Sequence, residues 1–99
     1  MTSEYNFEWD PVKAKANQKK HGISFEQAAT VFRDPRALSI FDEEHSKDED
    51  RWLTVGMSDP GIIVVVIHTF RETGDQITLR IISARPATKR ELRQYEANP

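Results

Sequence analysis

The sequence predicts an α+β fold: a helical hairpin packed on a four- to five-stranded antiparallel sheet, with a helix at the C-terminal end. Three observations lead there. Helix start and stop signals crowd residues 10–35, with Asp10-Pro11, then Gly22, then Ser24, then Asp34-Pro35. Three β-rich runs follow, joined by the tight turns Asp59-Pro60-Gly61 and Thr73-Gly74-Asp75. Pro86 then leaves the last run, and Thr88 with Glu91 has the spacing of a capping box.

In chain order, the aromatic stretch Asn6 to Trp9 reads as a short strand. Asp10 is suited to cap a helix whose first residue is Pro11, since proline lacks only an N–H that has no partner there. That helix stops at Gly22. Ser24 with Gln27 opens a second one, with Phe25, Ala28, Ala29 and Phe32 on one stripe, and Asp34-Pro35 ends it. Trp9, Phe25 and Phe32 are assigned to the core. Ala37 to Phe41 is a short strand before an acidic loop, followed by strands at Arg51 to Met57, Ile62 to Phe70 and Gln76 to Arg85. The Ile62–Ile67 run is apolar on both faces, so it belongs in the centre of the sheet. Alternation puts Ile77, Leu79 and Ile81 under the helices, with Thr78, Arg80 and Ile82 on the open face. Leu92 and Tyr95, one turn apart, are expected to dock the last helix.

Residues 1–99 read as one domain without repeats or linkers. The absence of cysteine excludes disulfides and thiolate sites. The longest apolar run has six residues, Ile62 to Ile67, well short of the roughly 20 that span a bilayer. The start has neither the basic nor the apolar region of a signal peptide, so a cytoplasmic protein is expected. Net charge is −2, unlike most non-specific RNA binders, but the charge is unevenly spread. Residues 42–50 hold six acids and one lysine, whereas Arg80, Arg85, Lys89, Arg90 and Arg93 collect near the C-terminal end. Lys13, Lys15, Lys19 and Lys20 form a second basic stretch.

No glycine-rich phosphate loop, metal-ligand spacing or nucleophile elbow is present, so no cofactor is expected. Arginine, lysine, histidine and glutamate remain, a set suited to metal-free cleavage of RNA. The substrate supplies its own 2′-hydroxyl nucleophile. The protein supplies a base, an acid and cations for the charge that develops on phosphorus. An arginine fork, which holds two phosphate oxygens together, fits the last role.

Several segments resemble the BrnT family of bacterial toxins: Phe7-Glu8-Trp9-Asp10-Pro11, Lys20-His21-Gly22, Ser24 to Ala28, Phe32 to Pro35, His45-Ser46 and Glu49-Asp50-Arg51. The most specific is Arg80 to Glu91, and the likeness runs in order from about residue 7 to 95. It implies a RelE-like fold and a ribonuclease that arrests growth. It also implies neutralisation by BrnA, a ribbon-helix-helix antitoxin that carries operator DNA binding, in an assembly of two toxins and two antitoxins.

The expected catalytic set is Arg80, Arg85, Arg71, His68, Glu49 and Arg51. The arginines would stabilise charge and His68, Glu49 or a lysine would move protons. Glu49 and Arg51, two residues apart, would share a strand face and could equally form a structural ion pair. Lys20, His21, Lys89 and Arg93 are expected to touch RNA, although His21 would also stabilise the end of its helix. His45 is expected to be structural. Two other readings stay open at this point: a binding module without activity, and an inactive toxin that acts as co-repressor with its antitoxin.

Overall fold

A computed structural model describes residues 4–98. Strand β1 (Glu4–Glu8) leads into helix α1 (Pro11–His21), helix α2 (Phe25–Ala29) and a 3-10 turn over Thr30–Arg33. Strand β2 (Leu38–Phe41) and the loop carrying a 3-10 turn at Glu43–His45 precede β3 (Arg51–Ser58), β4 (Ile62–Thr73) and β5 (Gln76–Pro86). Helix α3 (Lys89–Ala97) follows. No helix among the described residues is long and apolar enough to cross a membrane.

The local signals act as their chemistry requires. Asp10 accepts from the Val12 N–H and Gly22 ends α1 at φ 73°. Ser24 accepts from the Gln27 N–H. At α3 both halves of the capping box form, with Thr88 accepting from the Glu91 N–H and Glu91 from the Thr88 N–H.

The sheet order is β1-β5-β4-β3-β2. Strands β2 to β5 pair antiparallel as expected, but β1 runs parallel to β5, which makes the sheet mixed. The long crossover through helices and meander brings the last strand back beside the first in the same direction. The sheet separates two cores. On one face α1 and α2 cover Ile23, Phe25, Ala28, Val31, Val64, Val66, Ile81 and Ala84. On the other, α3 brings Tyr95 against Val55 and Val65. Leu92 is 37% exposed, so Tyr95 is the side chain that α3 buries and Leu92 stays at its margin.

Helix α1 has no apolar stripe, and its one buried side chain is Asn17. The physical reason is the end of β1. Beyond the Glu8–Arg80 pair, β5 has no strand beside it on that side. Asn17 takes the place of one: Nδ2 donates to the carbonyls of Ala84 and Ile23 at 2.9 and 3.0 Å, and Oδ1 accepts from the Ala84 N–H at 3.1 Å and the Ser83 hydroxyl at 3.2 Å. Gly56 on β3 permits another close approach, because a Cβ there would lie 2.8 Å from Val31 Cγ1. Asp34 ties the layers by accepting from Tyr95 Oη at 2.6 Å, Met57 N at 2.8 Å and Arg36 N at 2.9 Å.

Replacing Asn17 with alanine strands the Ala84 N–H and C=O in the core, where each buried unmet group costs about 1–3 kcal/mol. The variant is expected to lose on the order of 3 kcal/mol in urea denaturation. A loss within the scatter of surface substitutions would refute the role given to this side chain.

Candidate active site

The site is set by an irregularity in β5. Arg80 and Arg85 are an odd number of residues apart, which in a regular strand places them on opposite faces. The β4–β5 register shifts between Ile67 and His68: Ser83 faces Ile67 and Ile81 faces His68, leaving Ile82 as an extra residue. Arg80 therefore opposes Thr69 and Arg85 opposes Val65. Those two partners alternate to the same side of β4, so both arginines point to the face that carries α3.

Register lays a row across that face. Arg51 opposes Thr69, Thr69 opposes Arg80, and Arg80 opposes Glu8. In the next row Arg71 opposes Thr78. A shallow cavity of about 210 Å³ opens there, bounded by Arg71, Arg80, Thr69, Glu8, Glu49 and Asp50. A second hollow of about 520 Å³ adjoins it under the acidic loop, and Glu49 lines both, beside Arg51. Arg80 Nη1 lies 3.5 Å from Glu8 Oε1, with both side chains nearly half exposed. Such a solvated pair is weak, and an arriving phosphate can displace it. The Arg51 Nε is buried and donates to nothing among the described residues.

Arg85, expected to bind phosphate, is committed elsewhere. Its two terminal nitrogens donate to the two Glu91 oxygens at 2.7 and 2.8 Å. Those bonds, with help from the Thr88 N–H and against the cost of burial, hold the Glu91 carboxyl at about 2. The same pair raises the Arg85 pKa. Arg85 thus fastens α3 above the row, on the side of the sheet where Lys89 and Arg93 stand exposed.

His68 was expected among the proton movers, but it lies on the opposite face and is 3% exposed. Its ring stands edge-on to Phe32 at 4.9 Å. Nδ1 is 3.1 Å from the Thr69 carbonyl, which can only accept, so Nδ1 carries the proton. Nε2 then accepts from Thr54 Oγ1 at 2.7 Å, which in turn accepts from Ser39 Oγ at 2.8 Å. Burial lowers the His68 pKa, with the Thr69 carbonyl opposing, and keeps the ring neutral. No lone pair is left for a substrate.

Lys20 and His21 end α1, in the helical layer on the far side of the sheet from the row. Glu49 belongs to the loop before β3 rather than to the strand, so it shares a cavity with Arg51 without sharing its strand. His45 pairs with Asp42 at 2.9 Å, as a structural residue does. Three members of the site were missed in the sequence: Glu8, Asp50 and Thr69. Glu8 enters through the parallel β1–β5 pairing, which no local signal announces. Among the described residues, no group of three or more His, Asp or Glu side chains is placed to hold a metal.

Guanidinium groups stand beside carboxylates on one uncovered sheet face, an arrangement able to hold an anion. The sequence matches a family described as the ribonuclease toxin, BrnT, of type II toxin-antitoxin systems, over residues 9–91. The chain belongs to that BrnT family, and is thus a ribonuclease toxin with an antitoxin partner. Its fold is similar to the crystal structure of the Brucella abortus ribonuclease toxin BrnT, at 28% identity and a TM-score of 0.56, over 82% of this chain and 94% of that one. No curated protein matches the chain by sequence.

Between pH 4.5 and about 2 the unfolded chain takes up a proton on Glu91 that the folded protein excludes, so stability is expected to fall as pH falls through that window. Glu91→Gln, lacking that titration, should show a shallower acid limb by circular dichroism. An unchanged limb would mean that the Arg85–Glu91 pair does not hold α3.

Proposed function

We propose that this toxin cleaves RNA without a metal, on the open face carrying Arg51, Arg71 and Arg80. The scissile phosphate lies between Arg71 and Arg80, over Thr69. Glu49 takes the proton of the 2′-hydroxyl, whose oxygen attacks phosphorus. The bond to the 5′-oxygen breaks, and that oxygen takes a proton from solvent, leaving a 2′,3′-cyclic phosphate and a 5′-hydroxyl end. Arginine forks on the phosphate oxygens stabilise the charge that grows on them. Lys89 and Arg93 follow the backbone beyond the cut. Arg85 positions α3 and does not touch the substrate. The observation that carries this reading is the Arg51–Thr69–Arg80 row with Arg71 beside it, all on one uncovered face.

The antitoxin is read as a BrnA-like ribbon-helix-helix protein that carries the operator contact, in an assembly of two toxins and two antitoxins. Support for this comes from the family resemblance. Native mass spectrometry of the co-expressed pair tests the two-to-two stoichiometry.

Arg80→Ala and Arg71→Ala are each expected to lower kcat/KM for RNA by on the order of 10²–10³-fold. Glu49→Gln should cost about 10²–10⁴-fold, the usual share of a general base. His68→Phe should cleave near the wild-type rate, and EDTA should change nothing. Full activity in the two arginine variants would remove the proposed site, and loss of cleavage in EDTA would remove the metal-free route.

A further inference from the structure

The sheet has a second open patch, on the helical side. Phe41, Trp52 and His68 oppose one another across β2, β3 and β4, and Phe70 stands two residues past His68 on the same face. The helical hairpin leaves this region open: Phe41 is 38% and Phe70 44% exposed. Phe41 meets Trp52 edge-on at 5.1 Å. A groove of about 250 Å³ runs between Ser39, Trp52, His68 and Phe70, and its wall is largely apolar. Its floor carries no charge, because burial keeps His68 neutral and both ring nitrogens are engaged within the protein.

An aromatic groove suits a nucleobase as well as a protein side chain. The charges at its rim decide between them. At one end Phe41 runs directly into Asp42 and Glu43, where the acidic loop begins. At the other end Glu72 follows Phe70 by two residues on the same face, with Asp75 in the turn beyond. The nearby cations, Arg51 and Arg71, alternate to the opposite face. A phosphodiester backbone meets repulsion at both ends, whereas a basic peptide meets attraction.

We infer that this groove docks an amphipathic, basic segment of the antitoxin, its apolar side chains lying against Phe41, Trp52 and Phe70 and its lysines or arginines against the rim carboxylates. This rests on the family reading that the toxin has a protein antitoxin. It goes beyond that reading by separating two contacts. The groove and the arginine row occupy opposite faces of one sheet, so anchoring the antitoxin and silencing the enzyme use different surfaces.

The test titrates purified antitoxin onto the full-length toxin by calorimetry. Phe41→Ser is expected to weaken binding about tenfold or more, as loss of an aromatic anchor does. Glu43→Lys, on the exposed loop, is expected to weaken it by a similar factor and to reduce its salt dependence. Both variants should cleave RNA as the wild type does. Unchanged antitoxin affinity in either variant overturns the proposal. Weaker RNA binding by Phe41→Ser with intact antitoxin affinity overturns it in favour of nucleic acid. A wild-type toxin that binds antitoxin but leaves RNA uncut would defeat the catalytic reading while leaving the groove to be judged on affinity alone.

Discussion

One extra residue in β5 decides what this molecule can do. Without Ile82 in the bulge, either Arg80 or Arg85 would point into the helical core, where an unpaired guanidinium is prohibitively costly. With it, Ile81 and Ala84 both enter that core and both arginines leave it. A bulge weakens a ladder locally, so something must hold it. Asn17 does so from α1, bonding both backbone groups of Ala84 and the Ser83 hydroxyl. A helix with almost no apolar face thus contributes its amide to the core, and the arginine face depends on a side chain in the opposite layer.

The electrostatics of that face explain how an acidic protein can act on RNA. Net charge governs attraction at a distance, but within a Debye length of roughly 8–10 Å the local arrangement prevails. The arginine row is bordered by Glu8, Glu49 and Asp50. Carboxylates among arginines offset their mutual repulsion, and on the proposed reading Glu49 among them supplies the proton acceptor. Arg85 is treated differently. Its bidentate partner is less exposed and further fixed by the Thr88 N–H, so phosphate has little to offer in exchange. Two arginines from one short motif thus have separate duties, one held weakly by Glu8 and ready to exchange, the other held firmly to fix α3.

The sequence made the elements legible because their signals are local: Asp10-Pro11, Gly22, Ser24 and the Thr88–Glu91 box each act within one turn of chain. The central place of Ile62–Ile67 was also readable, since apolar residues on both faces need cover on both. What lay beyond reach was set between distant segments. The parallel β1–β5 pairing brought in Glu8, and Asn17 looked like one more polar residue on a polar helix. His68 was misjudged for a related reason. Alternation placed it correctly beside Val64 and Val66, yet only the three-dimensional structure reveals that its lone pair is already taken by Thr54. Alternation put Arg80 on the open sheet face, where the structure has it, whereas Arg71 was singled out by the family likeness.

The same sheet also sorts charge between its faces. Alternation along β3 and β4 sends Arg51 and Arg71 to one side and Trp52 and Phe70 to the other. The acidic loop joins β2 to β3 at the border. There it supplies Glu49 and Asp50 to the arginine face, while Asp42 and Glu43 directly follow Phe41 of the aromatic one. Its carboxylates turn a phosphate chain away from the groove yet leave the arginine row able to hold one at close range. On the proposed reading a polyanion and a basic peptide are bound at once, each on the face whose charge suits it, with period-two alternation as the device that keeps them apart.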